Sequence, residues 1–347
     1  MEKGNNRAET SSATAEKRKR EAAGVARFLA EKDDWLVVCH EKPDGDTLGC
    51  LFTLVSVGRK MGKNVRCGGK DPVPRRYEFM LGEIGYEDLT ENPGDLPSGA
   101  LIVCVDTSGL DRSVAWLAEE SSRHTIINID HHGDNTMYGT VNWVDPDASA
   151  TGEMILDLLE ALDWELSEDE ATALYVSMVT DNGCFSYASV SERSHECAGK
   201  LICAGASPSR ITTLLDSNLS GDILRLWGRA FSRTELFESG IAASFWLDAA
   251  DFDETGTTRA DTESLVNFLL RIKGVLLAVF CTGNGENVRV SLRTKEPFSA
   301  REIAASFGGG GHDLAAGCTI EKNLPEALDL MKDEIRRHVE RRRTVAE

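Results

Sequence analysis

Four polar clusters in this sequence combine aspartate with histidine, and each lies at or just after the end of an apolar segment. Carboxylate oxygens mixed with imidazole nitrogens suit hard divalent cations such as Mn²⁺ or Mg²⁺ better than a thiolate-rich zinc site. About six such groups, brought together, are enough for two ions that share a bridging carboxylate. In chain order, the candidate residues are His40, Asp44, Asp46, Asp106, Asp130, His131, His132 and Asp181.

Each cluster also has a simpler structural interpretation. HEKPDGDTLG contains good turn formers, and Asp46 or Thr47 could cap the helix that follows. Asp106 and Asp181 could each cap a local turn. Two consecutive histidines after an aspartate at the end of a buried strand are harder to explain in this way. The four clusters in one chain therefore favour a metal site.

A glycine-rich segment, FGGGGHDLAAGC, has a composition suited to phosphate binding. Glycines allow backbone amides to approach a phosphate closely, and the histidine that follows can donate a hydrogen bond. A flexible linker is the alternative, but the amphipathic segment before the glycines and the small residues after them favour a packed turn. In RVSLRT, serine and arginine occupy alternate strand positions on one face, where the guanidinium could bind a phosphate. These candidate residues are Ser291, Arg293, Gly308, Gly309, Gly310, Gly311 and His312.

The elements that would position the aspartates and histidines alternate between strand and helix. Apolar runs at 35–40, 64–68, 100–106 and 124–130 predict strands, and the spacing over 47–61 predicts a helix. This order favours an α/β fold with a doubly wound, mostly parallel sheet. The carboxyl ends of parallel strands share one edge, so the first three clusters should converge there. Asp181, at the end of a helix predicted over 167–181, could complete the set.

The second half of the chain predicts a change of architecture. The pattern is helical from 149 to about 237, and strands then follow at 241–248, 274–282 and 287–294, with helices at 261–272 and 324–339. We expect a disordered or helical tail at 1–20, a catalytic domain at 21–217, a helical linker at 218–240 and a smaller α/β domain at 241–342.

Composition limits the classes of partner. The formal net charge of -19 disfavours binding along duplex nucleic acid, because Lys and Arg supply most of that affinity. Small anionic substrates remain compatible if bound metals supply positive charge. No run of about 18 apolar residues predicts a membrane span, and the polar start does not resemble a signal peptide.

These features predict a cytoplasmic protein whose first ~15 residues are disordered. The basic run Lys17–Arg20 is then expected to be the solvated start of a helix. The nine cysteines form no CxxC pair and are expected to be reduced and mostly buried.

In chain order, VVCHEKPDGDTLG, VCVDTSG, NIDHHGDN, VTDNG, VRVSLRT and FGGGGHDLAAG resemble the DHH phosphoesterase superfamily with its DHH-associated C-terminal domain. The resemblance covers about residues 25–340. It is strongest to the short bacterial branch of NrnA-like oligoribonucleases and 3′-phosphoadenosine 5′-phosphate phosphatases. Residues 21–217 would be the DHH catalytic domain, and residues 241–342 the DHH-associated, substrate-binding domain.

The resemblance implies a role for each candidate residue. Two Mn²⁺ ions are implied, with Mg²⁺ or Co²⁺ as substitutes. His40, Asp44 and Asp106 would hold one ion, and the other would lie on Asp46, Asp106, His131 and Asp181, with Asp106 bridging. Asp130 would orient His131, and His132 would face the substrate phosphate or the leaving group. Across an interdomain cleft, the far end of the substrate would contact Ser291, Arg293, Gly308, Gly309, Gly310, Gly311 and His312.

The function implied is a phosphodiesterase that degrades short oligoribonucleotides such as pApA to mononucleotides and that also dephosphorylates 3′-phosphoadenosine 5′-phosphate. The resemblance leaves open whether cleavage runs from the 3′ or from the 5′ end. One alternative is hydrolysis of cyclic di-AMP or of linear dinucleotides. An alternative of another class is a non-catalytic nucleotide sensor, which would be expected to lack the bridging acid, whereas Asp106 is present. A homodimer is also implied. Asp313 departs from the pattern, because an acid is unfavourable beside a phosphate site.

Overall fold

The computed structural model describes residues 2–82, 84–216, 220–262, 265–311 and 313–346. It divides into two compact units, Met1–Asn218 and Leu219–Glu347. Each unit contains its own six-stranded sheet. The boundary lies at the start of the segment predicted as a linker, and most of that segment belongs to the second unit.

A parallel sheet forms the centre of the first unit. Its strands are β1 (Asp34–Val38), β2 (Asn64–Gly69), β3 (Tyr86–Asp88), β4 (Leu101–Val105), β5 (Thr125–Asp130) and β6 (Val141–Val144). They lie in the order β3-β2-β1-β4-β5-β6, and every neighbouring pair is parallel. The doubly wound fold predicted from the sequence is thereby confirmed. The direction of winding reverses between β1 and β4, which is where such sheets bind ligands.

Helices of the first unit cover this sheet. They are α1 (Glu2–Glu31), α2 (Gly45–Lys60), α3 (Leu117–Glu120), α4 (Thr151–Ala161), α5 (Glu168–Asp181), α6 (Glu192–Cys203) and α7 (Pro208–Asp216), with 3₁₀ segments at Arg75–Met80 and Leu110–Arg112. The helix α2 is buried along most of its length and packs against α5. A Cβ atom on Gly49 would lie 2.3 Å from the carbonyl oxygen of Ala173. Glycine therefore permits the close approach of these two helices.

The second unit has a mixed sheet. Its elements are α8 (Gly221–Ser232), β7 (Glu235–Phe237), β8 (Ala242–Leu247), α9 (Ala249–Thr255), β9 (Leu277–Asn284), β10 (Asn287–Thr294), α10 (Ala300–Ala305), β11 (Gly310–Gly311), β12 (Ala315–Ile320) and α11 (Leu324–Ala346), with 3₁₀ segments at Glu238–Gly240, Arg259–Thr262 and Leu265–Arg271. The strand order is β11-β12-β10-β9-β8-β7, and only β8 and β9 pair in parallel.

Two local expectations differ from the structure. The helix predicted at 261–272 forms 3₁₀ segments, although Leu265, Val266 and Leu269 are buried as their spacing requires. Apolar spacing identifies the buried face but does not distinguish α from 3₁₀ winding over so short a segment. The first helix begins at Glu2 rather than in the basic run, which differs from the disorder expected over the first ~15 residues.

Two further observations concern the helices and the cysteines. Among the described residues, no helix is both long enough and apolar enough to cross a membrane. All nine cysteines are free thiols, and only Cys184 and Cys203 are exposed.

Candidate metal centre

The switch point of the parallel sheet carries the first two polar clusters. His40 follows β1, and Asp44 is the N-cap of α2, where its carboxylate accepts hydrogen bonds from the amides of Asp46 and Thr47 at 3.0 and 3.1 Å. Asp44 therefore caps the helix, rather than Asp46 or Thr47 as the simpler interpretation proposed, and its carboxylate also faces His40. The distance from Asp44 Oδ1 to His40 Nε2 is 3.9 Å.

Among the described residues, three groups of side chains place their ligand atoms within 4.8 Å of one another. His131 Nε2 lies 3.8 Å from Asp46, 3.7 Å from Asp106 and 3.3 Å from Asp181. The three groups share members, so they form one continuous cluster. They are His40-Asp44-Asp106, Asp46-His131-Asp181 and Asp106-His131-His132.

Asp106 lies at the centre of this cluster. It follows β4 with a φ angle of 54°, a left-handed conformation that costs free energy for any residue with a side chain. Its carboxylate accepts hydrogen bonds from the hydroxyls of Thr47, at 2.6 Å, and Thr151, at 3.1 Å. His40 Nε2 lies 3.5 Å from Oδ2, the oxygen that accepts from Thr47, and His131 Nε2 lies 3.7 Å from Oδ1. The carboxylate thus faces both His40 and His131, as a bridging ligand must.

The N-terminus of α4 holds Asp46. The amides of Thr151 and Gly152 donate to its two carboxylate oxygens at 2.7 and 3.1 Å, and the Ser177 hydroxyl also donates to it. Helix N-termini favour negative charge, so α4 stabilises this buried carboxylate. The hydroxyls of Thr47, Thr151 and Ser177 support the buried carboxylates, and none of these three residues was among the predicted site residues. The signal available for Thr151 was the polar start of α4, SATGE, which we interpreted only as a helix start.

Backbone carbonyls fix two of the histidines. His40 Nδ1 lies 2.6 Å from the carbonyl oxygen of Glu41, and His131 Nδ1 lies 3.1 Å from that of Ala148. When Nδ1 carries the donated proton, Nε2 retains its lone pair. Both Nε2 atoms face the aspartates, which is the arrangement expected of metal ligands.

Asp130 contacts His132 rather than His131. Its Oδ1 atom lies 2.7 Å from His132 Nδ1, and its Oδ2 atom accepts a hydrogen bond from Asn135 at 2.6 Å. The expectation that Asp130 orients His131 is therefore wrong. Side chains alternate along a strand, and the chain turns after Asp130, so sequence adjacency did not reveal which ring the carboxylate reaches.

The buried charges perturb one another strongly. Burial lowers the pKa of His40, but the hydrogen bond and the charge of Asp106 outweigh burial and raise this pKa to about 9. Burial also lowers the pKa of His131, and there the charges of Asp46 and Asp106 outweigh it and raise the pKa to about 9. Burial raises the pKa of Asp181 to about 7. It also raises the pKa of Asp46 well above its usual range, with Asp106 adding to the effect.

This donor set fits divalent cations. Four buried or partly buried carboxylates converge with two imidazoles whose Nε2 atoms face them, and the acids repel one another unless positive charge lies among them. Oxygen and imidazole ligands suit Mn²⁺ or Mg²⁺. His40, Asp44, Asp46, Asp106, His131 and Asp181 are therefore the residues that would hold such ions.

The sheet of the second unit brings together several of the residues predicted to bind phosphate. Ser291 and Arg293 lie on one face of β10, while its alternate residues enter the core. Gly317 of β12 pairs with Ser291 on one side and with Gly310 on the other, so these three form a row across the sheet. His312 lies outside the described residues.

The glycine segment is a packed turn. Gly308 has a φ angle of 69°, and its amide and that of Gly309 donate to the carbonyls of Ala305 and Ala304 at 3.1 and 3.0 Å. These two amides are therefore engaged with α10. Gly310 and Gly311 are exposed, and a Cβ atom on Gly310 would meet nothing within 4 Å. The first half of the segment is thus joined to α10 through its amides, and the second half pairs with β12 as the edge strand β11.

Asp313 is neutralised locally. Its carboxylate lies 2.8 Å from the Arg301 guanidinium and accepts a hydrogen bond from Ser299 at 3.0 Å. The unfavourable acid noted in the sequence is therefore paired with a cation on α10. It does not exclude an anion from the neighbouring residues.

Comparisons with known proteins agree with this arrangement. Residues 34–178 match the DHH family, N-terminal domain, and residues 239–337 match the DHHA1 domain. The bifunctional oligoribonuclease and PAP phosphatase NrnA of Thermus thermophilus is 30% identical over 306 residues, which cover 88% of this chain and 90% of that protein. The chain belongs to the DHH family.

Solved structures share the fold of this DHH-family protein. An exopolyphosphatase-related protein from Bacteroides fragilis superimposes with a TM-score of 0.84 at 23% identity, covering 92% of this chain and 96% of the other. RecJ from Thermus thermophilus, in complex with Mn²⁺, gives a TM-score of 0.55 at 16% identity over 94% of this chain and 55% of RecJ. The family resemblance found in the sequence is confirmed.

Proposed function

We propose that this DHH-family protein is a Mn²⁺-dependent phosphodiesterase that hydrolyses short oligoribonucleotides to mononucleotides and also removes the 3′-phosphate of 3′-phosphoadenosine 5′-phosphate. The observation that carries the proposal is the convergence of two ligand groups on Asp106, with His132 directly beside them. The NrnA relative, named for both activities and similar along most of its length, supports this choice of substrates.

The clustered aspartates and histidines of the first unit would hold the metal ions. When bound, two divalent ions would supply Lewis acidity toward the phosphate and the attacking water. The cluster would hold them with His40, Asp44, Asp46, Asp106, His131 and Asp181.

His132 would supply the proton for the leaving oxygen. Burial lowers the pKa of His132, but the hydrogen bond with Asp130 and the charges of Asp106 and Asp130 together outweigh burial and raise this pKa above its usual value. The raised pKa favours the protonated donor near neutral pH. Asp130 would hold the ring and stabilise its charge.

The second unit would bind the end of the substrate away from the reacting phosphate. Ser291 and Arg293 share a sheet face with the exposed half of the glycine segment, and a guanidinium there can hold a phosphate with two parallel hydrogen bonds. Gly308, Gly309, Gly310, Gly311 and His312 remain predicted contacts.

A substrate panel tests the proposal. Purified protein with Mn²⁺ is offered pApA, longer oligoribonucleotides, cyclic di-AMP and 3′-phosphoadenosine 5′-phosphate, and products are separated by chromatography. We expect hydrolysis of pApA and of the bisphosphate, with cyclic di-AMP slower than pApA. Faster cleavage of cyclic di-AMP would support the cyclic dinucleotide alternative. Binding without hydrolysis of any of them, with every divalent metal tried, would support the nucleotide sensor. The cytoplasmic location and the homodimer remain predictions.

A further inference from the structure

The basic run of α1 is not uniformly solvated. The Arg18 guanidinium donates to the carboxylate of Asp145, and the two side chains are only 12% and 10% exposed. Arg20, in the same run, is exposed. Arg18 thus forms a charge-assisted hydrogen bond that is largely shielded from water, which strengthens it relative to a surface pair.

Asp145 organises the turn that follows β6. Its amide donates to the carbonyl of Asp130 at 3.0 Å, and its own carbonyl accepts from the amide of Ala148 at 3.0 Å. Its carboxylate also accepts from the amide of Asp147 at 3.2 Å. Backbone and side chain of this one residue therefore fix the four-residue turn 145–148 against the end of β5.

The same turn orients a candidate metal ligand. The carbonyl oxygen of Ala148 lies 3.1 Å from His131 Nδ1, and the opposite nitrogen of that ring faces Asp46, Asp106 and Asp181. An unbroken set of contacts thus leads from Arg18 through Asp145 and the Ala148 carbonyl to His131. The region that matches the DHH family begins at residue 34, so α1 lies outside it.

We propose that Arg18 is a positioning residue for the metal centre, acting through Asp145 and the Ala148 carbonyl to hold His131 with Nε2 toward the aspartates. This inference rests on the proposed function for its metal. The contact between His131 Nδ1 and the Ala148 carbonyl nevertheless depends on the protein alone, so it can be tested without a metal.

Isothermal titration with Mn²⁺ tests the proposal in the full-length protein, at a temperature well below unfolding. We expect Arg18→Ala to weaken Mn²⁺ binding about tenfold, the lower end of the loss that follows removal of a partner behind a metal ligand. Arg20→Ala, a matched change at an exposed neighbour, should leave the affinity within twofold, and Arg18→Lys should restore part of it. Because Arg18 and Asp145 act on one path, Arg18→Ala combined with Asp145→Ala should lose little more than either alone.

Nitrogen-15 NMR spectroscopy of the metal-free protein reports the tautomer of His131. A change in stability alone would not alter this tautomer. His131 should be protonated on Nδ1 when it is neutral at high pH, and Arg18→Ala should give a mixture of the two tautomers. A lower melting temperature with unchanged Mn²⁺ affinity and an unchanged His131 spectrum would overturn the proposal. If the wild type binds no Mn²⁺, the proposed function fails, and the His131 spectrum still decides whether Arg18 positions the ring.

Discussion

Asp106 faces histidines in both halves of the cluster. It accepts hydrogen bonds from Thr47 and Thr151 and faces His40 and His131. Burial raises its pKa, but the neighbouring histidines outweigh this effect and hold the pKa well below the usual range. The carboxylate is therefore ionised, as a ligand shared by two ions needs to be.

The substitution Asp106→Asn tests this role. An amide has no charge, and its NH₂ group cannot accept the hydrogen bond that the second threonine offers. We expect Mn²⁺ affinity and hydrolysis of pApA to fall by a factor of at least about 100, more than for loss of a residue behind a ligand. Asp134→Asn, at an exposed site just after His132, is the matched control and should retain both. Equal behaviour of the two variants would remove Asp106 from the centre.

The raised pKa values of His40 and His131 predict a pH dependence of metal binding. Below about 9 both rings carry protons in the metal-free protein, and an ion must displace them. Apparent Mn²⁺ affinity should therefore rise with pH from 6 to 9, by roughly tenfold per unit for each proton released. Competition with a fluorescent chelator measures this, and titrations in two buffers of unlike ionisation enthalpy count the protons. A constant affinity across this range would contradict the assignment.

At the scale of elements, spacing predicted the main strands well. Four apolar runs gave β1, β2, β4 and β5 to within two residues at each end, and chain order alone then placed their polar ends on one edge. The edge strands β3 and β6 were missed, because short, partly exposed strands carry little apolar signal. The support for Asp46 from the α4 amides was missed for a different reason. Backbone amides donate whatever the side chain is, so residue types do not reveal this support.

The contact between α2 and α5 predicts a local sensitivity to side-chain size. Gly49→Ala would place a methyl group 2.3 Å from a backbone oxygen of Ala173, so the helices must separate. We expect a loss of about 1–3 kcal/mol in the free energy of unfolding, as for other overpacked sites. Separation of these helices should also weaken Mn²⁺ binding, because α2 carries Asp46 and α5 carries Asp181.

The control for this change is Gly199→Ala. This glycine lies within α6, and a Cβ atom there meets nothing within 4 Å. Alanine should be neutral or stabilising by up to about 1 kcal/mol, the difference in helix propensity. Urea denaturation of both variants measures the two effects. A Gly49 variant as stable as the Gly199 variant would show that the helix contact tolerates a methyl group.

At the scale of the whole molecule, the two units carry different chemistry. Carboxylates and imidazoles converge in the first, whereas the second offers Ser291, Arg293 and exposed glycines on one sheet. The sequence indicated this division, because the two kinds of motif stand far apart in the chain. It did not indicate that the amides of Gly308 and Gly309 are engaged with α10, since that depends on where the preceding helix ends.

Substitution of Arg293 separates the two contributions. We expect Arg293→Ala to raise the KM for pApA about tenfold or more, as loss of a charged hydrogen bond requires, while Mn²⁺ affinity stays unchanged. Steady-state kinetics and metal titration of the same preparation provide both values. Arg289→Ala, an exposed residue on the same strand face, is the control and should change KM less. Equal loss of substrate binding and metal binding would contradict the division of labour.

The buried acids of the first unit also connect the protein's abundance to the metal supply of its cell. Asp46 and Asp181 are costly to bury together with Asp44 and Asp106, so an ion that binds only the folded chain stabilises it. At a free concentration of 100 times the dissociation constant, one ion contributes about 2.7 kcal/mol. Chains synthesised during metal starvation would therefore unfold more often and be degraded sooner. A shortage of metal would therefore lower the amount of the enzyme as well as its activity.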